Sequence, residues 1–194
     1  MPKEIDLFID LFGGGFNVGI NVDCNLIIYN DTYKQVVDLL QNFSEHTPEE
    51  VHQKIIDTIT EYGLSRSDLN GYEVYGCNSN NGLGEYNKSK YFKLREDYNK
   101  KPDWVKFYTL ITCSFSNQIR FNSNGEFNMP YGKRDYNTSL QDKLKIFIEE
   151  RVFFRDGNRR LIHPFIDETK VGIAIAFPRR LVGIRRKVQE ASAR

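Results

Sequence analysis

Long apolar runs are missing from this chain. None approaches the ~20 consecutive residues that a membrane span requires, so no membrane partner is expected. The N-terminus, Met1-Pro2-Lys3-Glu4, has no secretory signal pattern, which points to a cytoplasmic protein. Cysteine is scarce and odd in number: Cys24, Cys77 and Cys113 share no CxxC spacing. They read as reduced thiols filling a core, which excludes a disulfide framework and a cysteine-ligated zinc site. The three histidines, His46, His52 and His163, are scattered, and no metal is expected. No internal repeat is visible. Against these absences stand 194 residues with 40% hydrophobic and 13% aromatic content. That is enough for a real core in one domain, or one domain with an insertion, and it excludes a disordered chain.

The net charge of +1 conceals a split. Residues 1–150 carry 16 Lys and Arg against 22 Asp and Glu, whereas residues 151–194 carry 11 against 4. Nine of the 13 arginines fall in the last 44 residues, and 16 of the 17 asparagines fall before them. Such a break suggests a junction near residue 150. The basic tail, with Arg179-Arg180 and Arg185-Arg186-Lys187, reads either as a nucleic-acid-binding extension or as foreign sequence.

Periodicity places the elements. Ile5–Ile9 and Leu26–Tyr29 are short apolar runs of the kind that form buried parallel strands. Residues 32–43 carry a helical stripe of Val36, Val37, Leu39 and Leu40. Thr47-Pro48-Glu49-Glu50 is a capping box with proline at the first helical position, and the helix it opens should end at Gly63. Residues 65–88, rich in Asn, Gly and Ser, read as a long surface loop. Helices are expected over 89–101, over 103–115, and from the Thr138-Ser139-Leu140-Gln141 cap to about residue 150. Residues 119–130 should be extended about a Ser123-Asn124-Gly125 turn, and 171–177 has the make-up of a strand.

Between the first two strands lies Asp10-Leu11-Phe12-Gly13-Gly14-Gly15-Phe16-Asn17, and the second strand is followed by Asn30-Asp31. Strand, glycine turn, helix, strand and terminal acid form the layout of a nucleotide-cofactor site. Glycines let the backbone approach a ligand, and a carboxylate accepts hydrogen bonds from ribose hydroxyls. The run does not match G-x-G-x-x-G, so an adenosine-type cofactor without a pyrophosphate is at least as well suited. A tight turn, with Asp31 capping the next helix, is the plainer alternative.

Gln118-Ile119-Arg120-Phe121-Asn122-Ser123-Asn124-Gly125-Glu126-Phe127-Asn128-Met129-Pro130-Tyr131-Gly132-Lys133 is the more specific signal. It closely resembles the R-[FY]-N-x-x-G-E-F-N-x-P-[FY]-G segment of D12-class, Dam-like DNA adenine-N6 methyltransferases. The order of parts agrees over roughly residues 5–150. The resemblance implies an α/β, Rossmann-like S-adenosylmethionine-dependent core, here incomplete, with an inserted helical target-recognition domain. It also implies methyl transfer to adenine N6 in a short site of double-stranded DNA, often GATC, as in restriction-modification systems. The implied organisation is cofactor-binding core over 1–45, recognition domain over 46–137, return helix over 138–150 and basic tail over 151–194.

The family roles transfer position by position. Asp10, Phe12, Gly13, Gly14 and Gly15 match the methionine-and-adenosine pocket, and Phe16 stands where many relatives carry a glycine. Asp31 matches the ribose-binding acid. Arg120 matches an arginine that reads guanine, a contact type worth ~1–3 kcal/mol of discrimination. Phe115 falls at an aromatic wedge, Ser116 replaces a common asparagine, and Asn122 lies inside the motif. Pro130 matches a proline near the recognised bases, and Lys133 and Arg134 are expected on phosphates. The family's (D/N)-P-P-(Y/F) motif, which holds and stacks on the flipped adenine, has no counterpart: the six prolines are never adjacent. Nor is there a Y-x-G-[SG]-K-type segment before the glycine run. The expectation is therefore a methyltransferase-like chain clipped at both ends, with no assignable catalytic residue and a separately encoded catalytic half. A catalytically inactive DNA-binding module and a decayed fragment are the alternatives.

Overall fold

The computed structural model describes residue 5 and residues 7–22, 26–149 and 161–162. The chain divides into two compact units, residues 1–41 with 152–194, and residues 42–151.

The first unit is built on a parallel sheet in the order β1 (Leu7–Asp10), β2 (Leu26–Tyr29), β3 (Leu161–Ile162). Leu7 pairs with Leu26 and Asp10 with Tyr29, while Ile28 pairs with Leu161. Phe8, Ile27 and Tyr29 are buried, as expected of strands in a parallel sheet. The apolar run at 5–9 thus becomes a strand that extends one residue further, to Asp10. The helix expected between the first two strands is not there among the described residues. One 3-10 turn, Gly19–Asn21, stands in its place. Three successive glycines oppose a helix by about 1 kcal/mol each relative to alanine, and the remaining segment is too short to recover that deficit. Helix α1 (Lys34–Glu45) follows, burying Val36, Val37, Leu39 and Leu40. Residues 171–177 and the basic clusters of the tail lie outside the described residues, as does Cys24.

The second unit is helical: α2 (Pro48–Glu61), α3 (Ser67–Asn70), α4 (Gly84–Lys100), α5 (Trp104–Cys113) and α6 (Thr138–Glu149). The capping box that opens α2 is made in both directions. Glu50 N–H donates to Thr47 Oγ1 at 3.2 Å, and Thr47 N–H donates to Glu50 Oε2 at 2.8 Å. Asp103 caps α5 by accepting from Val105 and Lys106 N–H. The core joins Val51, Ile55 and Ile59 of α2, Tyr91, Leu94 and Tyr98 of α4, Val105, Phe107 and Leu110 of α5, and Leu144 and Ile148 of α6.

Two expectations are corrected here. Helix α6 begins at Thr138, but the side chain that accepts from Leu140 N–H is that of Asn137. Gln141 instead donates to Asp68 and to the Tyr136 carbonyl. Residues 65–88 are not simply a surface loop: they contain α3, a 3-10 turn at Glu73–Tyr75 and the first turn of α4. Both ends of the stretch are tied down by buried polar groups. Asp135, 1% exposed, accepts from the Ser65 hydroxyl at 2.7 Å and from the N–H and hydroxyl of Ser67. Asn87, fully buried, accepts from Ser65 N–H and donates to Ser65 Oγ and Tyr131 Oη. A buried carboxylate is tolerated only when hydrogen-bonded this fully, and apolar periodicity carries no trace of such a network. Among the described residues, no helix is long and apolar enough to cross a membrane.

Candidate functional site

Because β1 and β2 are parallel and in register, both loops leave the same, carboxyl edge of the sheet, where α/β folds hold ligands. The two loops zip together beyond the strands. Asn30 N–H donates to the Asp10 carbonyl at 2.9 Å, and Gly13 N–H donates to the Asn30 carbonyl at 3.0 Å. Asp31 then closes the junction: Oδ2 accepts from Gly14 N–H and Oδ1 from Tyr33 N–H, each at 2.8 Å. The glycine run and the acid, separated by a strand in sequence, therefore meet directly. Among the described residues each Asp31 oxygen accepts one hydrogen bond, which leaves a lone pair for a ligand hydroxyl.

Tyr29 braces the loop from below. Its hydroxyl donates to the Gly14 carbonyl at 2.6 Å, and a Cβ on Gly13 would run into its ring. Burial and the neighbouring charges of Asp31 and Asp10 push the Tyr29 phenol far above its ordinary pKa, so it stays a donor. Phe16 takes the left-handed conformation, φ +63°, that glycine would adopt. Its ring is buried edge-on to Tyr29, with centroids 5.3 Å apart. Ring burial, about 2–3 kcal/mol, thus offsets a backbone strain of about 1–3 kcal/mol.

Three features leave this loop able to take a ligand. A Cβ on Gly14 would meet nothing within 4 Å, and the Phe12 ring is 73% exposed. Asp10 is buried; its Oδ2 accepts from Gly19 N–H at 3.0 Å, while Oδ1 has no partner among the described residues. Burial raises the Asp10 pKa, partly offset by the Gly19 N–H and reinforced by the Asp31 charge. A ligand cation at Oδ1 would relieve that penalty. The arrangement suits a molecule with a cationic group, vicinal hydroxyls and an aromatic face. Among the described residues no His, Cys, Asp and Glu cluster could hold a metal ion.

In the second unit the 118–133 segment is a short hairpin pinned beside the end of α5. Phe121 pairs antiparallel with Phe127, and Ser114 with Tyr131. Phe115 N–H donates to the Pro130 carbonyl at 3.0 Å and Gly132 N–H to the Cys113 carbonyl at 2.8 Å. Phe115 is 57% exposed at the corner. Behind it, Ser116 and Asn117 are both left-handed, at φ +55° and +53°. Asn117 holds this turn by donating to the Ile111 and Thr112 carbonyls. Arg120 is exposed; Nε donates to Asn128 Oδ1 at 2.7 Å and Nη2 to the Asn128 carbonyl at 2.9 Å. That grip leaves the Nη1–Nη2 edge of the fork facing away from Asn128, the edge able to make two parallel hydrogen bonds.

The remaining motif positions divide. Pro130 and Lys133 are exposed, and Lys133 has no ion-pair partner among the described residues. Arg134 is exposed and donates to Tyr72 Oη at 2.9 Å. Asn122 is occupied by the turn: Oδ1 accepts from Asn124 and Glu126 N–H, and Nδ2 donates to Glu126. Sequence reasoning missed Tyr29, Asn117 and Asn128. Asn128 stood inside the quoted motif at the right spacing across the turn. Tyr29 and Asn117 gave no signal, since one read as strand core and the other fell between the expected helix and the extended segment.

The family model for D12 class N6 adenine-specific DNA methyltransferase matches residues 1–153. The Type II methyltransferase M.FokI of Planomicrobium okeanokoites is 40% identical over 150 residues, which is 76% of this chain and 20% of that protein. Modification methylase StsI of Streptococcus sanguinis is 30% identical over 149 residues, 76% of this chain and 20% of its own. Modification methylase LlaI of Lactococcus lactis subsp. lactis is 27% identical over 150 residues, again 76% of this chain and 21% of its own. The chain spans about a fifth of the length of the curated relatives it matches. With a parallel sheet carrying the glycine loop against Asp31, and a match across more than three quarters of its residues, the chain belongs to the D12 class of N6 adenine-specific DNA methyltransferases.

Proposed function

We propose that this chain carries the S-adenosylmethionine-binding and DNA-recognition parts of a site-specific adenine-N6 DNA methyltransferase of the restriction-modification kind. The observation that carries this is the closed junction of Gly14 with Asp31 in a chain of that family. S-adenosylmethionine supplies an electrophilic methyl group. Asp31 would accept from its ribose hydroxyls, Asp10 Oδ1 would meet its ammonium, and Phe12 would lie against its adenine. Gly13 and Gly15 keep the loop low enough for that approach.

The helical unit is the target-recognition domain in this reading, inserted between the parts of the core. Arg120 directs its free fork edge at a guanine, and Phe115 wedges at the target step beside Ser116. Pro130 lies near the recognised bases, while Lys133 and Arg134 meet phosphates. Asn122 contributes by shaping the turn that presents Arg120. No residue of these 194 is assigned the handling of the flipped adenine; a further polypeptide segment bearing the (D/N)-P-P-(Y/F) motif would supply it. A GATC duplex is the first target to try.

The test is calorimetric titration of S-adenosylmethionine into the folded chain, followed by assay of labelled methyl transfer to a GATC duplex and a scrambled control. Saturable cofactor binding that Asp31→Asn weakens at least tenfold is the expected result, with transfer appearing only once a motif-bearing segment is added. A folded chain that binds no cofactor overturns the reading. Transfer by the chain alone would mean that a residue outside such a motif holds the adenine.

A further inference from the structure

The loop preceding α4 is fixed to the recognition hairpin and presents two unused carboxamides beside it. Residues 76–84, Gly-Cys-Asn-Ser-Asn-Asn-Gly-Leu-Gly, contain no charged side chain, and along the chain the nearest carboxylates are Glu73 and Glu85. Asn78 organises it from within: Oδ1 accepts from both Asn80 and Asn81 N–H at 3.0 Å, and its carbonyl accepts from Gly82 N–H at 2.8 Å. The loop is then clamped to the 130–133 segment. Leu83 N–H donates to the Lys133 carbonyl at 3.0 Å. Gly82, at φ +74°, lies so close to Lys133 that a Cβ would stand 2.6 Å from its carbonyl oxygen. Leu83 beneath is fully buried. The peptides of 130, 132 and 133 are thus bonded in turn to Phe115, Cys113 and Leu83, so the asparagine loop and the Phe115 corner flank one strip of backbone.

Asn80 and Asn81 are exposed, and neither carboxamide has a partner among the described residues. A carboxamide is both donor and acceptor, the pair that matches adenine N6 and N7 in the major groove, and being neutral it adds little to phosphate attraction. Two such groups on a pre-shaped loop lose little freedom on binding. We infer that Asn80 and Asn81 form a second base-reading element, contacting the same duplex as Arg120 but at different base pairs. This rests on the DNA-recognition reading of the helical unit.

The experiment selects a library of randomised 20-base-pair duplexes with the full chain, in wild-type form and as Arg120→Ala and Asn80→Ala/Asn81→Ala. Matched thermal melts show that each is folded; among the described residues the two asparagine side chains make no bond whose loss would unfold the loop. The expected result is an enriched wild-type motif. Arg120→Ala relaxes one set of positions, and the asparagine pair relaxes another, with preference there falling roughly tenfold or more and the salt dependence of affinity unchanged. A wild-type motif relaxed by Arg120→Ala but untouched by the asparagine changes overturns this inference alone. A uniform loss of affinity with the motif intact does so too, since it marks backbone contact. If the wild-type chain enriches no sequence, the recognition reading itself fails.

Discussion

In the proposed reading, Asp10 sets stability against ligand binding in a single side chain. Its folded pKa lies above the ordinary 3.8, so the folded state holds the proton more tightly than the unfolded chain does. The stability this gives is complete at low pH and is lost as pH rises from 3.8 through the raised value; at neutral pH the buried charge opposes folding. Asp10→Asn keeps an acceptor for Gly19 N–H and removes the charge. Thermal melts at pH 7 should show the variant as stable as wild type or more so, while calorimetry shows weaker cofactor binding; a lower melting temperature would mean the carboxylate is paired in the folded state. Ser116 offers a second separation. It is exposed, left-handed and makes no side-chain bond among the described residues, so Ser116→Gly relieves strain of about 1 kcal/mol without removing a contact. The melting temperature should hold or rise. If the strained turn serves to hold Phe115 out, the same variant should bind duplex less tightly, as fluorescence anisotropy would show.

Helix ends carry much of the legible energy at the next scale. The Thr47–Glu50 box is reciprocal, and Thr47→Ala should lower stability by about 1 kcal/mol, read from urea unfolding of the full chain. The hydrogen bonds from Thr47 hold Glu50 below its ordinary 4.5, so this contribution is present above that pH and fades as pH falls through the lowered value. Asp68 behaves alike: burial works against it, but hydrogen bonds from Arg66 and Gln141 hold its carboxyl low. Acid titration of wild type and Thr47→Ala should therefore narrow only in part below pH 4.5, because the Thr47 backbone N–H bonds Glu50 in both chains and the Oγ1 cap on Glu50 N–H does not titrate; curves that merge completely would place the whole effect of Thr47 on the carboxylate. Capping boxes are local, which is why this one was visible in four letters. The cap of α6 misled for the same reason in reverse: Thr138 looked right, yet Asn137 makes the bond and Gln141 is drawn off to Asp68 across the fold.

The chain divides into two compact units, and the proposed reading gives each its own function. Asp31→Asn should weaken cofactor binding without changing duplex affinity, and Arg120→Ala the reverse, with the double variant showing both losses independently. A double variant whose losses exceed that expectation would show energetic coupling between the units. Strand runs and helical stripes were set down by the sequence alone, because each is a pattern of near neighbours under one periodicity; the glycine loop and Asp31 were legible as short local strings, and the Arg120 motif through its resemblance to a family segment. The tertiary structure decided what joins distant segments. It closed Gly14 onto Asp31 and set Tyr29 beneath the loop, replaced an expected helix by one 3-10 turn, and buried Asp135 among serines seventy residues away. Those outcomes depend on hydrogen-bond partners in three dimensions, and a linear pattern of apolar and polar residues does not record them.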